Sequence, residues 1–201
     1  MFELFKMGGA LMYPILVCSI IALAIFFDRI WTYHSLKRST APLFREVERL
    51  IIAEHYEQAL NLCHQQDTPM GRILQVALKH RGTSRAHIKT LVEEVGHRET
   101  ASLERYLGLL GTIATIAPLL GLLGTVLGMI RAFNVMATQG VGTPATLGGG
   151  ISEALLTTAA GLSLAVPTIL LHKYLSSRVD RAILEMEEYS MQIVDLIGET
   201  R

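Results

Sequence analysis

Charged residues leave three long gaps in this chain. Met7–Phe27 contains no Asp, Glu, Lys or Arg, and its apolar run has room to extend to Tyr33. A second run covers Tyr106–Ile130, and a third starts near Thr146 and ends at Leu171, interrupted only by Glu153. As helix, about 20 such residues cross the ~30 Å hydrocarbon core of a bilayer. Outside these runs the apolar positions recur at helical spacing. Pro42 can open a helix whose stripe is Leu43, Val47, Leu50 and Ile51. Tyr56–Cys63 and Pro69–His80 are further short helices. The Arg81-Gly-Thr-Ser segment is a break, with Ser84 as N-cap of the next helix. Ile88, Leu91, Val92, Val95 and Leu103 then form a face that runs toward the second span, which predicts one long helix continuing into the membrane. After the third span, Ile183, Met186, Ile193, Val194 and Ile197 supply another packing stripe.

Flanking charges orient the spans. Arg29, Lys37, Arg38 and Arg45 come after the first, Arg98 and Arg105 precede the second, and Lys173, Arg178 and Arg181 come after the third. The segment joining the second and third spans has only Arg131. By the positive-inside rule the middle region and the C-terminus are cytoplasmic, and the N-terminus and the glycine-rich Gly140–Gly150 link are periplasmic. Trp31 and Tyr33 lie where an aromatic belt would mark the end of the first span. The first run is too long for the h-region of a secretory signal, about 7–15 residues, so it reads as a retained span.

The expected fold is an all-α membrane protein with three transmembrane helices, the long ones extending into a cytoplasmic helical domain. Residues 1–36 form the first span and 37–104 the cytoplasmic helical region. Residues 105–172 form two pore-forming spans with their short link, and 173–201 a cytoplasmic helix. Apolar stripes on helices that leave the bilayer need partners, which points to other copies of this chain and to its own cytoplasmic segment.

Composition narrows the chemistry. Half of the 201 residues are hydrophobic and 18% are charged, below the roughly 25% of soluble domains. The formal net charge is zero, so no nucleic-acid footprint is present. Cys18 and Cys63 lie in unlike settings, which argues against a disulfide or a zinc site. His55, His64, His80, His87 and His97 lack metal-ligand spacing and read as solvated or structural. Gly121-Leu-Leu-Gly124 is not followed by Lys-Ser/Thr, so it is no phosphate loop. Neither an enzyme nor a cofactor is expected, and three spans without an inverted repeat make a poor solute transporter.

Glu153 remains. A carboxyl at mid-bilayer costs at least ~2.5–3.5 kcal/mol, and intramembrane ionisable residues usually face a protein interior or a watery path. A lone acid with nearby hydroxyls suits protons better than larger cargo. Thr157 lies one turn on, near the Glu153 face. Thr158 is rotated toward Ala154, Gly161 and Ala165, and periodicity alone leaves open whether it lines a path or a seam. Thr125 offers a hydroxyl from the second span. Gly121, Gly124, Gly128 and Gly161 read as helix-packing positions, with Gly124 and Gly128 at small-xxx-small spacing. Pro118 can loosen the second span, and Pro167 marks a bend in the third.

Ala117-Pro-Leu-Leu-Gly-Leu-Leu-Gly-Thr-Val-Leu-Gly128 and Gly150-Ile-Ser-Glu-Ala-Leu-Leu-Thr-Thr-Ala-Ala-Gly-Leu-Ser-Leu-Ala-Val-Pro167 resemble the MotA/TolQ/ExbB proton-channel family, in its ExbB and TolQ branch. The likeness is strong over the second and third spans and looser elsewhere. It implies a bacterial inner-membrane motor subunit, with several copies, typically five, around single-span partners of the ExbD or TolR type. Each partner carries an aspartate. Proton flow would then drive an outer-membrane system, such as TonB-dependent uptake through a TonB-type protein. By position, Glu153 matches the family's membrane glutamate, and Thr125 and Thr158 match its polar threonines, which favours Thr158 over Thr157. The chain begins almost at its first span, unlike ExbB proteins with a long N-terminal extension, and it fits the four-span stator branch poorly. Rival readings are a TolQ-like envelope-integrity subunit and a passive scaffold of a secretion assembly.

Overall fold

The computed structural model describes residues 7–139 and 144–198. Six helices run in order: α1 (Met12–Ile52), α2 (Tyr56–Gln65), α3 (Pro69–Lys79), α4 (Arg85–Glu104), α5 (Leu107–Gln139) and α6 (Pro144–Ile197). Three of the helical stretches are long and apolar enough to cross a membrane. With 41 and 54 residues, α1 and α6 far exceed one span. The chain divides into two compact units. The first combines the N-terminal part through Asp28 with Tyr106–Tyr174, and the second combines Arg29–Arg105 with the chain from Leu175 onward.

In the first unit α5 and α6 pack antiparallel along a seam of small residues. A Cβ at Gly161 would lie 2.6 Å from the Ala117 carbonyl oxygen, and one at Gly121 would lie 3.0 Å from Thr158 Cα. Further along, a Cβ at Gly128 would lie 2.7 Å from the Gly150 carbonyl oxygen. Backbones this close exclude side chains, which is the means by which helices associate where lipid supplies no hydrophobic drive. Ile15, Ala22 and Ile25 of α1 join this core, with Leu110, Ala114 and Ala117 of α5 and Ala154 and Ala165 of α6. The opposite faces expose Leu119, Leu122, Val126, Leu155, Leu162 and Val166. A water-soluble chain would not leave such contiguous apolar surface bare.

The second unit is a helical bundle with an aliphatic core. Leu43, Val47 and Ile51 of α1, Met70, Leu74 and Leu78 of α3, and Ile88 and Val92 of α4 are buried. Val179, Ile193 and Val194 of α6 are buried as well. Phe44 stacks on Tyr189 with centroids 4.3 Å apart, and Arg85 pairs with Asp195 at 2.6 Å. Arg72 grips Glu99 through Nε at 2.7 Å and Nη2 at 2.6 Å. That bidentate bond, before any other cause, raises the Arg72 guanidinium further above its ordinary value. Thr68 caps α3 by accepting from Gly71 N at 3.1 Å, with Pro69 at the tolerant first position. Ser84 caps α4 by accepting from His87 N, and Gly82 takes φ +80 in the break before it.

Three expectations change. Pro42 does not open a helix but sits inside α1. A buried stripe of Tyr33, Leu36, Thr40, Leu43, Val47 and Ile51 runs unbroken past it, and this burial offsets the roughly 3 kcal/mol that an interior proline costs. The helix expected to run from the polar region into the second span is interrupted: Arg105 and Tyr106 form a turn, with Tyr106 at φ +70. The Tyr33 hydroxyl donates to the Leu103 carbonyl at 2.8 Å, satisfying one of the acceptors that the end of α4 leaves free. Gly148–Gly150, read as link, belong to α6, while 140–143 of that link lie outside the described residues. Within α6, the missing side chain of Gly150 lets Gly128 and Ala132 of α5 come close. Pro118 and Pro167 lie inside α5 and α6.

Candidate functional site

Glu153 lies on α6 in the first unit, near the end of the glycine seam. Its side chain is 20% exposed and pairs with Arg131 of α5, whose side chain is 53% exposed. The Arg131 guanidinium donates to the Glu153 carboxylate. The two residues stand 22 positions apart, and the antiparallel register of α5 and α6 brings them together. From a third direction the N-terminal turn closes on the acid. Gly9 has φ +71, and a Cβ there would overlap the Glu153 carboxylate. Positive φ and close approach both demand glycine at this position.

Thr157 locks that turn in place. Its hydroxyl reaches the Gly8 carbonyl at 2.7 Å and the Glu153 carbonyl at 2.8 Å, sharing one proton between two acceptors. Thr157 is 1% exposed, and a Cβ at Gly124 would fall 2.5 Å from its Cγ2. It therefore belongs to the buried stripe with Ala154, Gly161 and Ala165, the neighbours that helical phase had assigned to Thr158. Both threonines meet the glycine face of α5, Gly124 facing Thr157 and Gly121 facing Thr158. Thr158 sits at the edge of the same seam, half-buried, and donates to the Gly121 carbonyl at 2.9 Å. Thr125, half-buried on α5, donates back to the Leu122 carbonyl at 2.6 Å. Both threonines spend their proton on backbone but keep lone pairs free to accept.

A pocket of about 10 Å³ is lined by Gly8, Ala10, Leu11, Gly124, Leu127, Arg131, Glu153 and Thr157. That is about the space of one water molecule. Thr125 and Thr158 do not line it. Among the described residues no three His, Cys, Asp or Glu side chains gather as a metal site. Chemically, the arrangement can hold a carboxylate against a cation in a small chamber whose other walls are mostly apolar. The amino-acid order does not bring Gly8, Gly9 or Arg131 to the site; the structure does. Arg131 did carry a signal, as the sole charge between the second and third spans.

A model of the MotA/TolQ/ExbB proton channel family matches residues 65–188. The chain belongs to that family. Over 176 residues it is 36% identical to ExbB-like 1 of Synechocystis sp., covering 86% of this chain and 69% of that protein. It is 26% identical over 194 residues to the biopolymer transport protein ExbB of Salmonella typhimurium, covering 91% of this chain and 78% of that one. To the Tol-Pal system protein TolQ of Pseudomonas aeruginosa it is 40% identical over 86 residues, 43% of this chain and 37% of that one. MotA/TolQ/ExbB membership gives the chain a general proton-channel role, in a family of transport subunits and not of enzymes. With its three apolar helices it is a multi-pass protein of the bacterial inner membrane.

Proposed function

We propose that this chain is an ExbB-type motor subunit that couples the proton motive force to TonB-dependent outer-membrane transport, with Glu153 as its proton-exchanging group. One observation carries the reading: the acid that interrupts the third apolar span is mostly shielded, yet lines a chamber of about one water's size together with Arg131 and Thr157. A span that only anchors has no use for such a group. Several copies, typically five, surround single-span partners of the ExbD or TolR type. The bare apolar faces around Leu122, Val126, Leu155 and Leu162 supply the surface for that assembly and for lipid. The N-terminus is periplasmic and the C-terminus cytoplasmic, in keeping with the basic flanks of the spans. Protons enter from the periplasmic side, exchange at Glu153 opposite the partner's aspartate, and leave past Thr125 and Thr158. Thr157, buried and doubly engaged, holds the helices and not the proton.

The test is replacement of Glu153 by Gln or Ala in a strain whose energised uptake depends on this chain. Uptake is expected to be lost while the complex still assembles; normal uptake in Glu153→Gln refutes the proposal. A passive scaffold would tolerate that change. A TolQ-like role in envelope integrity is a second reading, favoured by the 40% identity to TolQ over 86 residues. The single-span protein that co-purifies with the chain separates the two.

A further inference from the structure

The proton route through Glu153 leaves Arg131 without a role, although its guanidinium is the cation that meets the acid. The pair is lopsided. Glu153 is the inner member at 20% exposure, and Arg131 reaches it from the more open side at 53%. Among the described residues backbone also comes in, through Gly9 over the carboxylate and Gly8 tied to Thr157. The other groups lining the chamber, Gly8, Ala10, Leu11, Gly124, Leu127 and Thr157, carry no charge. Among the described residues, Arg131 is thus the counter-ion built into the chamber.

We propose that Arg131 is a positioning residue for proton exchange: it releases Glu153 each time the acid is protonated and recaptures it each time the proton departs. This rests on the reading of Glu153 as the proton site. The step balances. A proton from water bonds to a carboxylate oxygen, and the neutral carboxyl no longer holds a guanidinium by charge. Arg131 keeps its own protons throughout and turns its arm to water. When the carboxyl gives its proton to water on the other side, the anion forms again and the ion pair closes. Each proton therefore moves one side chain, which gives the chamber two discrete arrangements.

The experiment uses the complex purified from its own membranes and reconstituted in liposomes that enclose a pH-sensitive dye. Glu153→Gln is expected to be silent. Arg131→Gln is expected to lower flux roughly tenfold or more, the loss of a charge-assisted hydrogen bond. Arg131→Lys restores it to within roughly threefold, since an ammonium keeps the charge without the fork. Full flux in Glu153→Gln overturns the proton-site reading itself. A silent Glu153→Gln beside an Arg131→Gln that matches the wild type overturns only the counter-ion. Infrared difference spectra of the wild-type complex across an acid step give a test that needs no weakened variant. The carboxyl band missing from Glu153→Gln should grow together with a change in the guanidinium band missing from Arg131→Lys. Growth of the first without the second overturns the proposal.

Discussion

Adding one methyl group at Gly161 tests whether α5 and α6 touch backbone to backbone. In Gly161→Ala the new Cβ meets the Ala117 carbonyl oxygen at 2.6 Å and Gly121 Cα and N at 3.1 Å. The first distance falls about 0.8 Å short of an ordinary 3.4 Å contact. None of these atoms ends a flexible side chain, so the strain must move a helix. Overpacking of this kind costs about 1–3 kcal/mol, while alanine in place of an interior helical glycine returns up to about 1 kcal/mol. With the full helix gain subtracted, the net expectation is a loss of up to about 2 kcal/mol. Gly96→Ala is the control: Gly96 lies in α4 with nothing within 4 Å of its would-be Cβ, so only the propensity gain remains. Both variants are titrated from mixed micelles with SDS, and helix loss is monitored by circular dichroism. Gly161→Ala should unfold at lower SDS than the wild type and Gly96→Ala at equal or higher SDS. If Gly161→Ala rises alongside Gly96→Ala, propensity is the whole effect and the close seam is refuted.

Two further outcomes are expected in the second unit. Tyr33→Phe removes the donor to the buried Leu103 carbonyl, and an unsatisfied buried acceptor costs about 1–3 kcal/mol; a lower unfolding midpoint checks it, and an unchanged one refutes the cap. Burial pushes the Cys63 thiol from 9.0 to about 11. The thiol ionises more readily in the unfolded chain, so its contribution is complete below about pH 9 and is lost as pH rises toward 11, about 2–3 kcal/mol in all. Cys63→Ala should flatten that stretch of a stability-against-pH curve, and an unaltered slope contradicts the assignment.

The elements that could be read from the residue order share one property: their cause is local or solvent-driven. Met7–Phe27, Tyr106–Ile130 and Thr146–Leu171 announce spans because uncharged length leaves a helix in lipid as the economical solution. Ser84 and Pro69 announce helix starts because a cap acts within four residues. Pro42 misleads for the complementary reason. Its local preference is to begin a helix, but the stripe from Tyr33 to Ile51 is a tertiary gain that overrides it. The turn at Arg105–Tyr106 has no glycine, proline or asparagine to mark it. Its left-handed tyrosine stands out only once the backbone is seen.

The site divides in the same way. Glu153 is conspicuous because one carboxyl in an apolar run is conspicuous. Its neighbours are not, because they depend on register. Thr157 and Thr158 differ by about 100° around α6, and the amino-acid order cannot say which α5 residue each of them meets. That choice is made where Gly121, Gly124 and Gly128 face Thr158, Thr157 and Ala154, pair by antiparallel pair. The same register carries Arg131 to Glu153 and leaves Gly8 to accept from Thr157. Glycines in a span thus declare that some backbone will come close without saying which. A rotation of α6 by one residue would exchange the roles of the two threonines and carry Glu153 away from Arg131. The seam therefore sets the chemistry as well as the packing, and a change at Gly124 or Gly128 should disturb the acid before it disturbs the fold.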